Sequence, residues 1–294
     1  MMIAADGWYI YTGREVVPRH VTRVRIHESV TVIPAQAFYE NFDIEEVKCH
    51  DRVETVEEMA FDSCPSLRRV IMPGVEVVEQ YAFNRCRALT YVECGKLERI
   101  GRSAFAFSTS LGSINLPSAK IVGLSAFIYC TALTNVIFGK ELERIGEEAF
   151  WGCTSLERIA IPLKDGVITA NDTFRGCENL KHVDLVEGAV LRDTIAALQL
   201  EEWKIVMKDK IGVINQILPT TRAGGFGDDA GGKSQAMQSW IRSVLGKIVD
   251  YKAQHRSLLN EAATTLQLAS PNDVVLENVL PFLKLPSYTF EGED

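Results

Sequence analysis

The sequence predicts a solenoid in which short parallel strands stack on one wall, short helical turns stack on the opposite wall, and α-helices follow at the C-terminal end. Three observations support this prediction. A phenylalanine, usually preceded by alanine, recurs every 22 to 24 residues between positions 38 and 174. Apolar residues return at fixed distances after each phenylalanine. This period ends near Leu185, where helical spacing of apolar residues replaces it.

The composition is that of a folded protein and argues against several classes of partner. With 47% hydrophobic and 24% charged residues over 294 positions, the chain can bury a large core. A net charge of -8 without a basic stripe disfavours nucleic acid and anionic membranes as partners. Residues 1–17 lack a signal-peptide pattern, and no run approaches the roughly 20 apolar residues of a membrane helix. We therefore expect a soluble intracellular protein, in the cytoplasm or the nucleus.

Seven copies of one unit can be aligned on their phenylalanines, which are Phe38, Phe61, Phe83, Phe105, Phe127, Phe150 and Phe174. Alanine precedes each of them except the last, which follows Thr173. Leucine or isoleucine stands six residues after the phenylalanine, and valine or isoleucine stands nine after. The position three residues after is small and is mostly cysteine, namely Asn41, Cys64, Cys86, Ser108, Cys130, Cys153 and Cys177.

Each unit is too small to fold alone. The apolar positions nine and eleven residues after the phenylalanine alternate with polar ones, which is the period of a strand with one buried face. The segments before the phenylalanine, such as 100–105 and 145–150, suit a tight helical turn on the opposite wall. Because one unit cannot cover its own apolar residues, neighbouring units must cover them, and a stacked solenoid follows.

The unit resembles the BspA-like, or Treponema pallidum type, leucine-rich repeat. The resemblance is clearest in VVEQYAFNRCRALTYVECG (77–95) and RIGEEAFWGCTSLERIAIP (144–162), and it covers about residues 30–186. It implies a leucine-rich repeat solenoid of the α/β class that serves in recognition. It also implies that the repeats carry no catalytic residues, so we expect no enzyme activity.

The two ends of the solenoid require caps, because open ends would expose unpaired strands and apolar side chains. Residues 1–32 are predicted to form an N-terminal cap in which VTRVRIH (21–27) is an eighth strand, with Trp8, Tyr9 and Tyr11 beneath it. The repeats are assigned to residues 33–186. A cap helix at 187–218 follows, because Trp203, Met207, Ile211, Ile214 and Leu218 share one helical face.

A glycine-rich linker at 219–233 and a helical tail at 234–294 complete the predicted chain. The tail stripe of Ile241, Val244, Ile248, Tyr251, His255, Ala262 and Leu266 predicts a long amphipathic helix. A second, short helix is predicted to begin near Ser270 and Pro271. The tail also resembles that of leucine-rich repeat proteins from diatoms, which implies no known function.

The segment GDDAGGKS, Gly227 to Ser234, matches the pattern of a phosphate-binding loop. In such a loop, Lys233 would bind the outer phosphates and Ser234 would bind magnesium. The residues before the segment, PTTRAG, are not a buried strand, and Asp228 and Asp229 would repel a polyphosphate. A flexible linker is therefore the favoured interpretation, and nucleotide binding is an alternative function.

The cysteine positions predict buried packing, because a stacked ladder places thiols in a line and not around a tetrahedral metal. Disulfides between neighbouring units and redox sensing stay open as alternatives. The five histidines are scattered and form no motif with a nucleophile or metal spacing. We expect no cofactor and no metal.

The residues eight and ten after each phenylalanine are predicted to point outward together and to form a binding surface for a protein partner. Arginine and aromatic side chains concentrate energy in protein interfaces. The candidate residues are Arg69, Ile71, Tyr91, Asn135, Ile137, Arg158 and His182. The function favoured is a protein-interaction module or scaffold. Binding through the convex side or the tail, and a structural protein that self-associates through the tail helices, are the alternatives.

Overall fold

The computed structural model describes residue 4, residues 6–186 and residues 232–269. Over these residues the chain forms a parallel-strand β-solenoid of about seven turns, followed by one helix. The elements are β1 (Tyr9–Tyr11), β2 (Arg23–Ile26), β3 (Val32–Ile33), β4 (Glu46–Lys48), β5 (Thr55–Val56), β6 (Arg69–Ile71), β7 (Val77–Val78), β8 (Tyr91–Glu93), β9 (Arg99–Ile100), β10 (Ser113–Leu116), β11 (Ile121–Val122), β12 (Asn135–Phe138), β13 (Arg144–Ile145), β14 (Arg158–Pro162), β15 (His182–Val186) and α1 (Gly232–Ala269). The predicted fold class is confirmed.

The front wall consists of the strands that the repeat pattern predicts. A five-stranded sheet has the order β1-β2-β4-β6-β8, and a four-stranded sheet has the order β10-β12-β14-β15. All pairs are parallel and in register, so that residues at the same position of successive units are neighbours. From β2 onward, the valine or isoleucine nine residues after the phenylalanine or its equivalent, such as Val70, is buried, whereas in β1 the buried residues are Tyr9 and Tyr11.

The back wall differs from the expected stack of helical turns. Six strands of two residues each form a second parallel sheet in the order β13-β11-β9-β7-β5-β3. Each strand is followed by a turn in which two residues adopt positive φ, for example Met59 and Ser63 at 55° and 58°, and both are non-glycine in every case except the turn after β13, which has Glu148 and Gly152. Backbone bonds to the next coil hold them, because Met59 N donates to Gln80 O and Ser63 N donates to Asn84 O. These bonds offset the cost of about 1 to 2 kcal/mol for a left-handed residue.

The core is one continuous interior that runs through all seven units. Its centre is a column of stacked phenylalanine rings, with centroids 4.7 to 5.4 Å apart and interplanar angles of 1° to 7°. Every ring in the column is buried. Adjacent coils therefore supply the apolar cover that a single coil lacks, as the sequence predicts.

The small residue three positions after each phenylalanine is a hydrogen-bond donor. From the second unit onward, its side chain donates to the carbonyl of the preceding unit's phenylalanine at 3.0 to 3.1 Å, through Cys64, Cys86, Ser108, Cys130, Cys153 and Cys177. All seven cysteines are free and buried. Burial raises the pKa of Cys130 to about 12, so this thiol stays protonated. The predicted buried packing is confirmed, and the bond explains why serine replaces cysteine at Ser108.

Replacing Cys130 tests whether this position requires a donor or only a small side chain. We expect Cys130→Ser to change the free energy of unfolding by less than about 1 kcal/mol, because the hydroxyl keeps the bond to Phe105 O. Cys130→Ala should cost about 0.5 to 1.5 kcal/mol more than the serine variant, because it removes one of the two hydrogen bonds that Phe105 O accepts, the other coming from Ser108 N. Denaturant unfolding of both variants is the measurement. Equal losses in the two would contradict the donor role.

An additional strand closes the N-terminal end. Strand β1 pairs in parallel with β2, which is the predicted capping strand, and so adds one coil beyond the prediction. Trp8, Tyr9 and Tyr11 are buried as expected, and the Tyr11 ring lies 4.8 Å from that of Phe38. The aromatic column therefore ends on a tyrosine.

Helix α1 packs against the last coils. Met237, Ile241 and Val244 are buried in the common core, and Gln238 Nε2 donates to Ile168 O at 3.1 Å. The described helix starts at Gly232, so the last two residues of the predicted linker are helical, and Lys233 and Ser234 contact the solenoid. The predicted cap helix at 187–218, the rest of the linker and the helix from Ser270 lie outside the described residues, as do the remaining side chains of the predicted tail stripe.

Candidate functional site

The outward side chains of the front wall form two aligned rows, which we call the front face. One row holds the residues eight after each phenylalanine or its equivalent: Arg23, Glu46, Arg69, Tyr91, Ser113, Asn135, Arg158 and His182. The other row holds Arg25, Lys48, Ile71, Glu93, Asn115, Ile137, Ala160 and Asp184. The strand register therefore places all seven predicted residues on one surface.

Stacked arginine and aromatic side chains organise the half of the front face nearest the N-terminus. The Arg23 guanidinium lies 4.4 Å from the Trp8 ring centroid, and the Arg69 guanidinium lies 4.4 Å from that of Tyr91. Glu46 lies between the two arginines, with Nε to carboxylate distances of 3.5 and 3.6 Å. Cation–π contact and ion pairing together hold these side chains in place.

The other half of the front face carries little net charge. Arg158 pairs with Asp184 at 3.3 Å. Ile137 lies on β12, between β10 and β14, and is 41% exposed. The Oδ1 atom of Asn135 is buried without a hydrogen-bond partner in the described part of the chain. His182 is exposed at the last described strand. The hydrogen-bonded ladder is interrupted between β8 and β10, so the two halves belong to separate sheets.

The sequence prediction missed the residues that extend the front face toward the N-terminus. Arg23 and Arg25 precede the buried Val24 and Ile26 in β2, so the repeat offsets could have placed them on the face. Trp8 gives no such signal, because β1 lies outside the repeat pattern. The aromatic end of the face is therefore visible only in the structure.

A second row of aromatic side chains lies beside the turns. Phe107 and Tyr129 stack at 5.3 Å, Tyr129 contacts Trp151 at 6.4 Å, and the Arg175 guanidinium lies 4.6 Å from the Trp151 ring. Phe107 and Tyr129 are 38% and 40% exposed. The repeat offsets do not reveal this row, because Trp151 stands one position after its phenylalanine and the other two stand two after.

Lys233 and Ser234, the key residues of the predicted phosphate loop, contact the last coil. Lys233 Nζ donates to the carbonyls of Cys177 and Glu178. Ser234 is buried, and its hydroxyl accepts a hydrogen bond from Phe174 N at 3.4 Å. These groups thus act at the junction of helix and solenoid. Nothing in the described part of the chain, which includes Lys233 and Ser234 of this segment, supports the nucleotide-binding alternative.

No other site for chemistry stands out in the part of the chain that the structure describes. Within residues 6–186 and 232–269, no three or more histidine, cysteine or acidic side chains are grouped to hold a metal. Among the same residues, no helix has the length and apolar character to cross a membrane. The front face is therefore the candidate functional site.

The family is established by a profile of the BspA type leucine-rich repeat region. Six copies of this repeat match residues 19–123 and 98–197, more than half of the chain. The chain belongs to the BspA-type leucine-rich repeat family. Repeats of this family are generally protein-interaction modules, and their fold is typically non-enzymatic. A comparison with curated proteins gives no match.

Three solved structures of leucine-rich repeat proteins illustrate what this BspA-type chain is similar to. A leucine-rich repeat protein of T. pallidum has 20% identity and a TM-score of 0.43, covering 68% of this chain and 92% of its own. One from Bacteroides ovatus has 19% identity and a TM-score of 0.35, with coverages of 61% and 63%. A leucine-rich cell surface protein of Faecalibacterium prausnitzii has 16% identity and a TM-score of 0.23, with coverages of 65% and 94%.

Proposed function

We propose that the protein is an interaction module or scaffold that binds a protein partner through the front face. The observation that carries this proposal is the line of stacked and paired side chains that runs from Trp8 across β2, β4, β6 and β8. Arginine and aromatic groups that are already held in position lose little conformational entropy on binding. Such groups are the ones that contribute most energy in protein interfaces.

The exposed apolar side chains of the front face support the same function. Tyr91 and Ile137 are 43% and 41% exposed, and each has a polar cross-strand neighbour, Arg69 for Tyr91 and Asn115 for Ile137. A partner would bury these side chains and gain about 25 cal/mol for each Å² of apolar surface removed from water. Self-association through the tail stays a prediction, because the side chains that would carry it lie outside the described residues.

The test is affinity capture from native extract, in which the full chain is compared with a full-length variant that has acidic substitutions on the front face. We expect Tyr91→Asp combined with Ile137→Asp and Arg158→Glu to remove specific partners, because the three positions cover both halves of the front face. The matched control is Val77→Asp combined with Ile121→Asp and Arg144→Glu, which makes the same kinds of change at the outward positions of the back wall. Capture of the same proteins by the front-face variant would contradict the proposal. Circular dichroism checks that both variants fold.

A further inference from the structure

The front face has an excess of positive charge at its N-terminal half, although the whole chain has a net charge of -8. On β2, β4, β6 and β8 its basic residues are Arg23, Arg25, Lys48 and Arg69, and its acidic residues are Glu46 and Glu93. We propose that this half binds an acidic, extended segment of the protein partner. The inference rests on the proposed function and specifies the chemistry of the partner.

The carboxylates present do not balance these cations. Glu46 is shared between Arg23 and Arg69, so one carboxylate serves two guanidinium groups. Arg25 pairs with Asp6 at 2.8 Å. Lys48 is exposed and makes no ion pair within the described residues. The surface therefore retains positive charge that a partner carboxylate can neutralise.

The two shared arginines are arranged to receive a carboxylate. Each contacts Glu46 through Nε, at distances longer than a strong hydrogen bond, and this leaves the terminal fork of the guanidinium for a second group. Stacking on Trp8 and on Tyr91 fixes the planes of the two guanidinium groups. A planar fork of this kind binds a carboxylate through two parallel hydrogen bonds.

The spacing along the front face defines the segment that fits. Arg23 and Arg69 lie on β2 and β6, two strands apart, which corresponds to about 9.6 Å at the usual strand separation. Acidic residues three positions apart in an extended segment of the polyproline II type lie on the same side of the segment, about 9.3 Å apart. Ile71 and the exposed ring of Tyr91 lie beside this path and suit an apolar side chain of the same segment.

A nucleic acid is the less favoured ligand for these cations. Glu46 and Glu93 lie within the basic surface, and a polyphosphate has charge at every residue, so it would face both carboxylates. A peptide can have carboxylates only at the positions that face the arginines, so that none lies next to Glu46 or Glu93. The acidic peptide is therefore the partner chemistry that the charge distribution favours.

The experiment titrates the full chain into a labelled twelve-residue peptide with glutamate at every third position and one leucine. We expect binding that weakens at least fivefold between about 50 and 300 mM salt, because the exposed charges are screened. Arg23→Ala combined with Arg69→Ala should weaken binding at least tenfold. Arg99→Ala combined with Arg144→Ala removes the same charge from the exposed back wall and should leave binding unchanged.

Two further arms make the outcome decisive. A peptide with glutamine in place of glutamate should not bind, and single-stranded oligo-dT should bind more weakly than the acidic peptide. If the double variant does not fold, Arg69→Lys keeps the charge but loses the planar fork, and it should weaken binding severalfold.

The proposal is overturned by equal binding of the two peptides, by a back-wall variant as weak as the front-face variant, or by preference for oligo-dT. Absence of peptide binding while partners still depend on Tyr91, Ile137 and Arg158 would refute this inference and leave the proposed function standing. If the peptide does not bind and the front-face substitutions do not change which proteins are captured, both proposals are refuted.

Discussion

Replacing Phe127 by alanine is expected to lower the free energy of unfolding by about 3 to 5 kcal/mol. The ring is fully buried and stacks on Phe105 and on Phe150, each at 5.3 Å. Its removal leaves a cavity in the middle of the column and breaks the aromatic contact with both neighbouring coils. In a solenoid these nearest-neighbour contacts carry most of the stability. Denaturant unfolding at neutral pH measures the loss.

Phe107→Ala is the matched control, because it removes the same ring from an exposed position in the aromatic row. We expect it to cost no more than about 1 kcal/mol. Hydrogen exchange should show that Phe127→Ala also weakens protection in the coils on both sides. A loss below about 1 kcal/mol for Phe127→Ala would contradict the stacked core.

Raising the pH above 9 is expected to destabilise the protein steeply. Burial raises the pKa of Cys49, Cys64, Cys94, Cys130 and Cys177 from 9.0 to about 12, and it raises the pKa of Cys86 and Cys153 as well. Below pH 9 the thiols are protonated in both the folded and the unfolded chain. Between about pH 9 and 12 the unfolded chain loses protons that the folded chain keeps, so stability falls as pH rises.

The slope should be large because many thiols act together. Each fully shifted thiol contributes up to about 1.4 kcal/mol per pH unit, while domains of ordinary stability unfold at a cost of about 5 to 15 kcal/mol. We therefore expect unfolding within about one to two pH units above 9. Denaturant midpoints under reducing conditions at successive pH values measure the slope.

Cysteine-to-serine variants separate the thiols from the other groups that titrate in alkali. Cys130→Ser keeps the hydrogen bond and should match the original chain at pH 7, yet its stability should fall less steeply above pH 9. Adding Cys86→Ser, which keeps the equivalent bond to Phe61 O, should reduce the slope further. An unchanged slope in the double variant would show that buried thiols do not control the alkaline transition.

The aligned columns of the sequence predicted the front wall and the core because each coil repeats one solution to the same packing problem. Val70, Val92 and Val136 occupy equivalent positions and lie in register in neighbouring strands of their sheets. The alternation in each strand likewise placed Arg69, Tyr91 and Arg158 outward. A periodic pattern reveals such residues because their environment is repeated from one coil to the next.

There is a physical reason why the sequence did not predict the strands of the back wall. Its strands have two residues each, such as Val77–Val78, and are held by bonds to adjacent coils and not by local preference. The left-handed turn residues include Tyr81 and Phe107, which gain nothing locally from that conformation. Sequence patterns reflect the local conformational preferences of residues. A conformation that neighbouring coils impose is therefore not evident from the sequence.

By itself, the sequence determined that this chain is a stack of coils with phenylalanines inside and two rows of variable side chains outside. Tertiary structure alone decided that Trp8 and Arg23 extend those rows and that Lys233 joins helix α1 to the last coil. It also decided that the cysteine thiols donate hydrogen bonds to carbonyls of the preceding coil. The reason is distance along the chain. Contacts within the repeat period recur and can be recognised, whereas a contact between residues such as Lys233 and Glu178 occurs once and exists only after folding.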